Sequence, residues 1–262
     1  MAYYYLAASL PPMEFGDLPE LSTMELLDQY GMNFDKQARE QLAVLRLWFD
    51  LQNIRQLYTF RSGPVHLDVR GNFAKQELKQ ALEDQHGLPE YVYDFLRQHE
   101  AHKDALSHFA ELVSTYFVTE ASKASGFVRE YLAFERNLRL ILTGFRAKKL
   151  KRDMRKEFAF EDMHDDIVSA IFAQQESPYF EAPAGYEELQ EMFLAAEDHP
   201  MHQYRYLAEL RFRRLREMVQ GKPFTLDYLL SYLLRVVLLE DLHSLDDTQG
   251  LEVLNGILKD TA

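Results

Sequence analysis

The side chains able to do chemistry fall in a few places. His99, His102 and His108 lie on one predicted helical stretch, and histidines on one helix face can hold a metal ion. The zinc-protease pattern needs histidines four apart with glutamate directly after the first. Here the string is His99-Glu100-Ala101-His102, with the histidines only three apart, so the expectation is a solvated helix face and no metal site. Met163-His164-Asp165-Asp166 and His199-Pro200-Met201-His202 lie in polar or loop settings, and such groupings arise by chance in a chain with 42 acids. Asp165-Asp166 and Asp246-Asp247 are adjacent pairs, which on a helix point about 100° apart rather than at one substrate. The chain has no Gly-rich phosphate loop and no G-x-S-x-G elbow. It has no cysteine either, which excludes thiolate nucleophiles, thiolate metal ligands and disulfides. No catalytic residue, cofactor or small-molecule substrate is expected.

Basic residues are the stronger signal. Arg146, Lys148, Lys149, Lys151, Arg152, Arg155 and Lys156 follow one another closely, with Asp153 the sole acid among them. Cations suit a helix C-terminus, but seven exceed what a cap requires. Arg211, Arg213, Arg214 and Arg216 form a second cluster. Each cluster reads as a solvated face or as a surface for an acidic protein partner. A net charge of −13 argues against a general nucleic-acid binder, since phosphate binding is driven by Lys and Arg. The tract from Arg146 to Arg155 is therefore the candidate partner-binding surface.

These residues need a helical frame. Phe127, Tyr131, Phe134, Leu138, Ile141 and Phe145 recur at spacings of four and three, which predicts a long helix with one apolar face running into the basic tract. Arg129, Arg136, Arg139, Thr143 and Arg146 take the opposite face, with Glu135 one turn before Arg139. Earlier helices are predicted over 21–30, from a cap at Asn33 or Asp35 to about Arg61 before Gly63-Pro64, over 73–86, from Pro89 to about His102, and over 103–123. Later ones cover 161–174, 186–197, 201–220, 226–243 and 251–259, with 177–185 the clearest loop. Residues 1–9 read as a short edge strand or docked extended arm, and 65–70 as a brief extended piece. In the helix over 226–243, Asp227, Ser231 and Arg235 align as a polar seam, either a solvent edge or a contact with another helix.

The fold class is all-α: one all-helical protein over 1–262, built as tandem related bundles with strands incidental. A chain of 262 residues buries about three quarters of its unfolded surface, so no metal or disulfide staple is needed. The start, MAYYYLAASLPP, does not read as a signal peptide, and no apolar run reaches the roughly 18–20 residues of a membrane span.

Internal echoes support the tandem reading. Trp48-Phe49-Asp50-Leu51-Gln52-Asn53-Ile54-Arg55 matches Ala133-Phe134-Glu135-Arg136-Asn137-Leu138-Arg139, and Tyr232-Leu233-Leu234-Arg235 followed by Glu240 is a looser third copy. Approximate repeats then span 20–64, 89–157 and 186–262, with Asn53, Arg55, Asn137, Arg139, Asp227, Arg235 and Glu240 as their polar positions. The stretch ERNLRLILTGFRAKKLKRD resembles the repeated segment of the C-type connecting subunit of archaeal and bacterial V/A-type ATPases, known as the d-type subunit in the eukaryotic enzyme. LDYLLSYLLRVVLLEDL is similar to the last helix of that family. With MAYYYLAASLP, the chain looks like an uncharacterised bacterial family associated with V-type ATPase genes.

The resemblance implies three related bundles forming a funnel. It also implies a non-catalytic socket linking the central stalk to the proteolipid ring, coupling ATP turnover to ion transport. Such a protein binds peripherally at the inner face of the cytoplasmic membrane. Asn53, Arg55, Asn137, Arg139 and Arg146 would then be buried or interfacial polar contacts. The third echo departs from the pattern: it lacks the asparagine and runs into acidic residues instead of a basic tract. The other expectation is a soluble helical adaptor or regulator that binds an acidic partner through its basic tract.

Overall fold

A computed structural model describes residues 3–60, 65–177, 179–195 and 199–245. All regular structure among them is helical. In chain order the helices are α1 (Tyr4–Ala8), α2 (Thr23–Asn33), α3 (Lys36–Thr59), α4 (Lys75–Glu83) and α5 (Glu90–Gln98). Next come α6 (His102–Ser107), α7 (Phe109–Lys123), α8 (Gly126–Lys149), α9 (Met154–Glu157) and α10 (Asp166–Phe172). The last are α11 (Glu187–Ala195), α12 (Pro200–Met218) and α13 (Leu226–Ser244). The expected helix over 251–259, the pair Asp246-Asp247, and the stop at Arg61 and Gly63-Pro64 lie outside the described residues. Among the described residues no helix is long and apolar enough to cross a membrane.

The chain divides into two units, one made of Met1–Asp35 with Met192–Ala262 and the other of Lys36–Glu191. Of the expected repeats, 89–157 lies wholly in the second unit, whereas 20–64 crosses the boundary.

The first unit is built around α13, which packs against both α2 and α12. Its leucines and valines at 229, 230, 233, 234, 236, 237 and 239 are all buried, as expected of a helix apolar around most of its circumference. Ser22 caps α2 reciprocally with Glu25: the hydroxyl accepts from the Glu25 N–H, and the carboxylate accepts from the Ser22 N–H at 2.8 Å. Tyr30 is fully buried and donates its hydroxyl to the Leu229 carbonyl at 2.8 Å. The start of the chain, expected as an edge strand or a docked extended arm, forms the short helix α1 instead. Ring contacts of Tyr3 with Phe34, edge-on, and of Tyr4 with Phe224, tilted, favour this over the strand preference of a tyrosine run.

In the second unit α7 and α8 form a helical hairpin. Phe127, Phe134, Leu138, Ile141 and Phe145 are buried on α8, as their spacing predicts, against Leu112, Val113, Tyr116 and Phe117 of α7. Trp48 of α3 packs between the rings of Tyr116 and Phe117 at 6.0 and 5.7 Å. Gly144 lets the Phe180 ring cross α8 closely, since a Cβ there would lie 2.8 Å from that ring. The predicted helix over 161–174 is shorter, because Asp165 caps α10 by accepting from the Ile167 and Val168 N–H groups.

Candidate functional site

The basic tract is not helical throughout. α8 ends at Lys149, and Lys151 adopts left-handed backbone with φ of 51°. The Lys151 N–H donates to the Lys148 carbonyl at 3.1 Å, and the Arg152 N–H to the Ala147 carbonyl at 2.8 Å. That pair of bonds is a Schellman termination, in which glycine is the usual left-handed residue. Asp153 then caps α9 by accepting from the Arg155 N–H at 3.0 Å.

This turn sorts the cations. Lys148 donates to the carbonyls of Gln175 and Ser177 at 2.5 and 2.7 Å, tying the end of α8 to the loop after α10. Arg152 pairs with Glu157 at 3.3 Å. Lys149 is exposed but engaged. Arg146, Lys151, Arg155 and Lys156 are exposed and, among the described residues, make no ion pair. Leu150 sits in their midst with 55% of its surface exposed. The second cluster differs: Arg213 and Arg214 share Glu217, Arg216 pairs with Glu14 at 2.7 Å, and Arg211 is also engaged.

A buried ion network anchors the chain beyond the turn. Arg136 and Arg139 of α8 converge on Glu161, whose side chain is only 4% exposed. Arg136 also reaches Asp165 at 2.7 Å.

The repeat positions do not behave as equivalents. Asp50 and Asn53 are fully buried and grip the loop before α4. Asp50 accepts from the N–H and side-chain amide of Asn72, and Asn53 exchanges two hydrogen bonds with the backbone of Asp68. Burial pushes the Asp50 carboxyl up, while the hydrogen bonds from Asn72 and Phe73 and the charge of Arg46 oppose that shift. Gly71 is required here, because a Cβ would lie 2.4 Å from the Asp50 carboxylate. The second echo is spaced differently. Its acid and asparagine, Glu135 and Asn137, are two apart instead of three, so they leave α8 on different faces. Arg139 belongs to the ion network, and Arg55 and Arg146 are exposed. Arg55 lies over the Phe109 ring at 5.6 Å.

In the first unit the seam on α13 is a contact between helices and not a solvent edge. Ser231 is buried and donates to the Leu215 carbonyl of α12 at 2.7 Å. Asp227 pairs with Lys222 at 3.2 Å, and Arg235 is buried. Glu240 accepts from both the N–H and the hydroxyl of Thr23, at 2.8 and 2.5 Å, where a carboxylate suits the positive end of α2.

The histidines also differ from expectation. His99 is buried rather than solvated, with Nδ1 at 2.8 Å from Asp104 and Nε2 at 3.2 Å from Glu111. His108 stacks on it at 4.4 Å and meets Asp104 at 3.1 Å. His99, Asp104 and His108 are close enough to share a cation. Both ring nitrogens of His99 already face carboxylates, however, so a cation would compete with these contacts for the ring. Burial disfavours the charged ring, but hydrogen bonds to Asp104 and Glu111 outweigh it and raise the His99 pKa. Sequence reasoning missed Asp104, Glu111 and Glu161, since each meets its partner across a helix break or a loop and no helical spacing announces it.

Comparison with known proteins assigns the family. The family described as "Protein of unknown function (DUF2764)" matches residues 1–261, and the chain belongs to it. Uncharacterised proteins of Chlamydia trachomatis and Chlamydia muridarum are 28% and 29% identical to it. Those alignments cover 88% and 87% of this chain and 87% of each relative. An uncharacterised protein of Chlamydia pneumoniae is 26% identical over 72% of this chain and 71% of its own length. No solved structure matches significantly. The full-length match overturns the resemblance to the C-type connecting subunit of V/A-type ATPases: the family is an uncharacterised one, and the relatives carry no ATPase description.

Proposed function

We propose that the protein is a non-catalytic helical binding protein that docks an acidic segment of another protein on the turn between α8 and α9. The observation that carries this reading is the contrast between the two basic clusters. The arginines at 211–216 are engaged by neighbouring groups, whereas Arg146, Lys151, Arg155 and Lys156 are left without ion pairs, among the described residues, around an exposed leucine. On a body of net charge −13, cations held apart from its many acids suit an acidic partner better than a nucleic acid, whose phosphates the rest of the surface repels. The fitting occupant carries acids flanking an apolar residue that covers Leu150.

Affinity capture from host membranes in mild detergent, with wild type and the triple variant R146E/K151E/R155E, tests this. The expected partner is acidic and is lost with the variant. Its acidic segment, made as a peptide, binds wild type at least about tenfold more tightly, with an affinity that falls as salt rises. Partners retained undiminished by the triple variant would refute the site. A connecting role in a rotary ATPase at the cytoplasmic membrane is one outcome of the same capture: recovery of stalk and proteolipid subunits would assign it.

A further inference from the structure

The first unit holds a buried cation that, among the described residues, no carboxylate pairs with. Arg235 is 6% exposed, and its Nε makes no hydrogen bond among the described residues. Its guanidinium lies over the rings of Phe212 and Tyr232, at 5.5 and 5.4 Å, and among the described residues it makes no ion pair with a carboxylate. A buried cation without an anion is costly, and aromatic faces together with the Tyr228 hydroxyl offset only part of that. Arg235 opens on a cavity of about 320 Å³, lined also by Arg216, Tyr228, Tyr232, Pro11 and Met13. That volume lies in the range of small-molecule sites.

From this geometry we infer that the cavity binds a small monocarboxylic acid with an aromatic or branched aliphatic body, its carboxylate taken by the Arg235 guanidinium. Local charge selects a monoanion: Glu14 already neutralises Arg216 at 2.7 Å, leaving one positive charge, where a phosphate dianion would bring an excess negative one. A guanidinium matches the two oxygens of a carboxylate edge-on. The hydroxyl of Tyr232 is committed to the Pro11 carbonyl at 3.0 Å, so that side of the wall offers its ring and not a free donor. Tyrosine, proline and methionine then receive the apolar body. This site is separate from the basic turn and departs from the sequence expectation of no small-molecule ligand.

Thermal unfolding and calorimetry of the full chain with phenylacetate, 4-methylpentanoate, phenylacetamide and inorganic phosphate test the assignment. Either carboxylate, at millimolar concentration, is expected to raise Tm dose-dependently, while the neutral amide and phosphate do not. R235K should weaken binding about tenfold through loss of the fork, and R235M should abolish it. E14Q, at an exposed position, frees Arg216 and should tighten carboxylate binding severalfold. No shift with either carboxylate, an equal shift with phenylacetamide or phosphate, or undiminished binding in R235M overturns the inference. If R235M does not fold, E14Q decides: unchanged or weaker binding overturns it.

Discussion

Replacing Lys151 separates the geometry of the basic turn from its charge. Lys151 holds φ of 51°, and a side chain in left-handed backbone costs about 1–2 kcal/mol relative to glycine. Glycine offsets roughly 0.5–1 kcal/mol of this through its greater freedom in the unfolded chain. The Lys151 side chain is exposed and makes no ion pair among the described residues, so its removal contributes little. K151G should therefore stabilise the second unit by about 0.5–1 kcal/mol, or about 1–4 °C in Tm. K151A keeps the Cβ and should stay within about 0.5 kcal/mol of wild type. The single tryptophan, Trp48, packs on Tyr116 and Phe117, so its fluorescence during urea unfolding reports that unit. Both variants lose the same charge and should weaken an acidic partner equally. If K151G is no more stable than K151A, the strain argument is wrong.

Two further outcomes follow from the buried charges of the same unit. E161Q leaves Arg136 and Arg139 facing a neutral amide, with the Nε of each unsatisfied, and should cost about 3 kcal/mol in the tryptophan-monitored transition; a loss below about 1 kcal/mol would mean that solvent already screens the network. For His99 the folded pKa lies above the ordinary 6.5, so its contribution is complete below that value and is lost as pH rises through the folded one. Urea midpoints of wild type and H99Q should converge as pH rises from about 5 to about 9, and a constant difference would show that the ring does not titrate in this range.

Local periodicity made the helices legible, and it stopped where the chain turns. The apolar stripe of Phe127, Phe134, Leu138, Ile141 and Phe145 and the leucine-rich run of α13 were readable because their burial follows from spacing alone. The end of α8 was not, because a lysine occupies the left-handed position that glycine would have signalled. The cations of the tract were visible as a cluster, but their division into tied and exposed members depends on carbonyls at 175 and 177 and on Glu157. The echo of Asp50 and Asn53 in Glu135 and Asn137 was compositional: one residue less between acid and amide turns them to different faces. The bonds from Tyr30 to Leu229 and from Tyr232 to Pro11 join residues 199 and 221 apart, beyond the reach of any windowed pattern.

The hydrogen bonds from Thr23 to Glu240 set an order of events during synthesis. The carboxylate that receives the start of α2 is encoded 217 residues later, so that helix emerges from the ribosome long before its partner exists. At about 5–20 residues per second the delay is roughly 10–40 s. In that interval the whole of Lys36–Glu191 has been made, as one uninterrupted stretch able to fold in sequence. α2 must wait for α13, against which it packs. Residues made before Lys36–Glu191 therefore belong to the unit that closes after it.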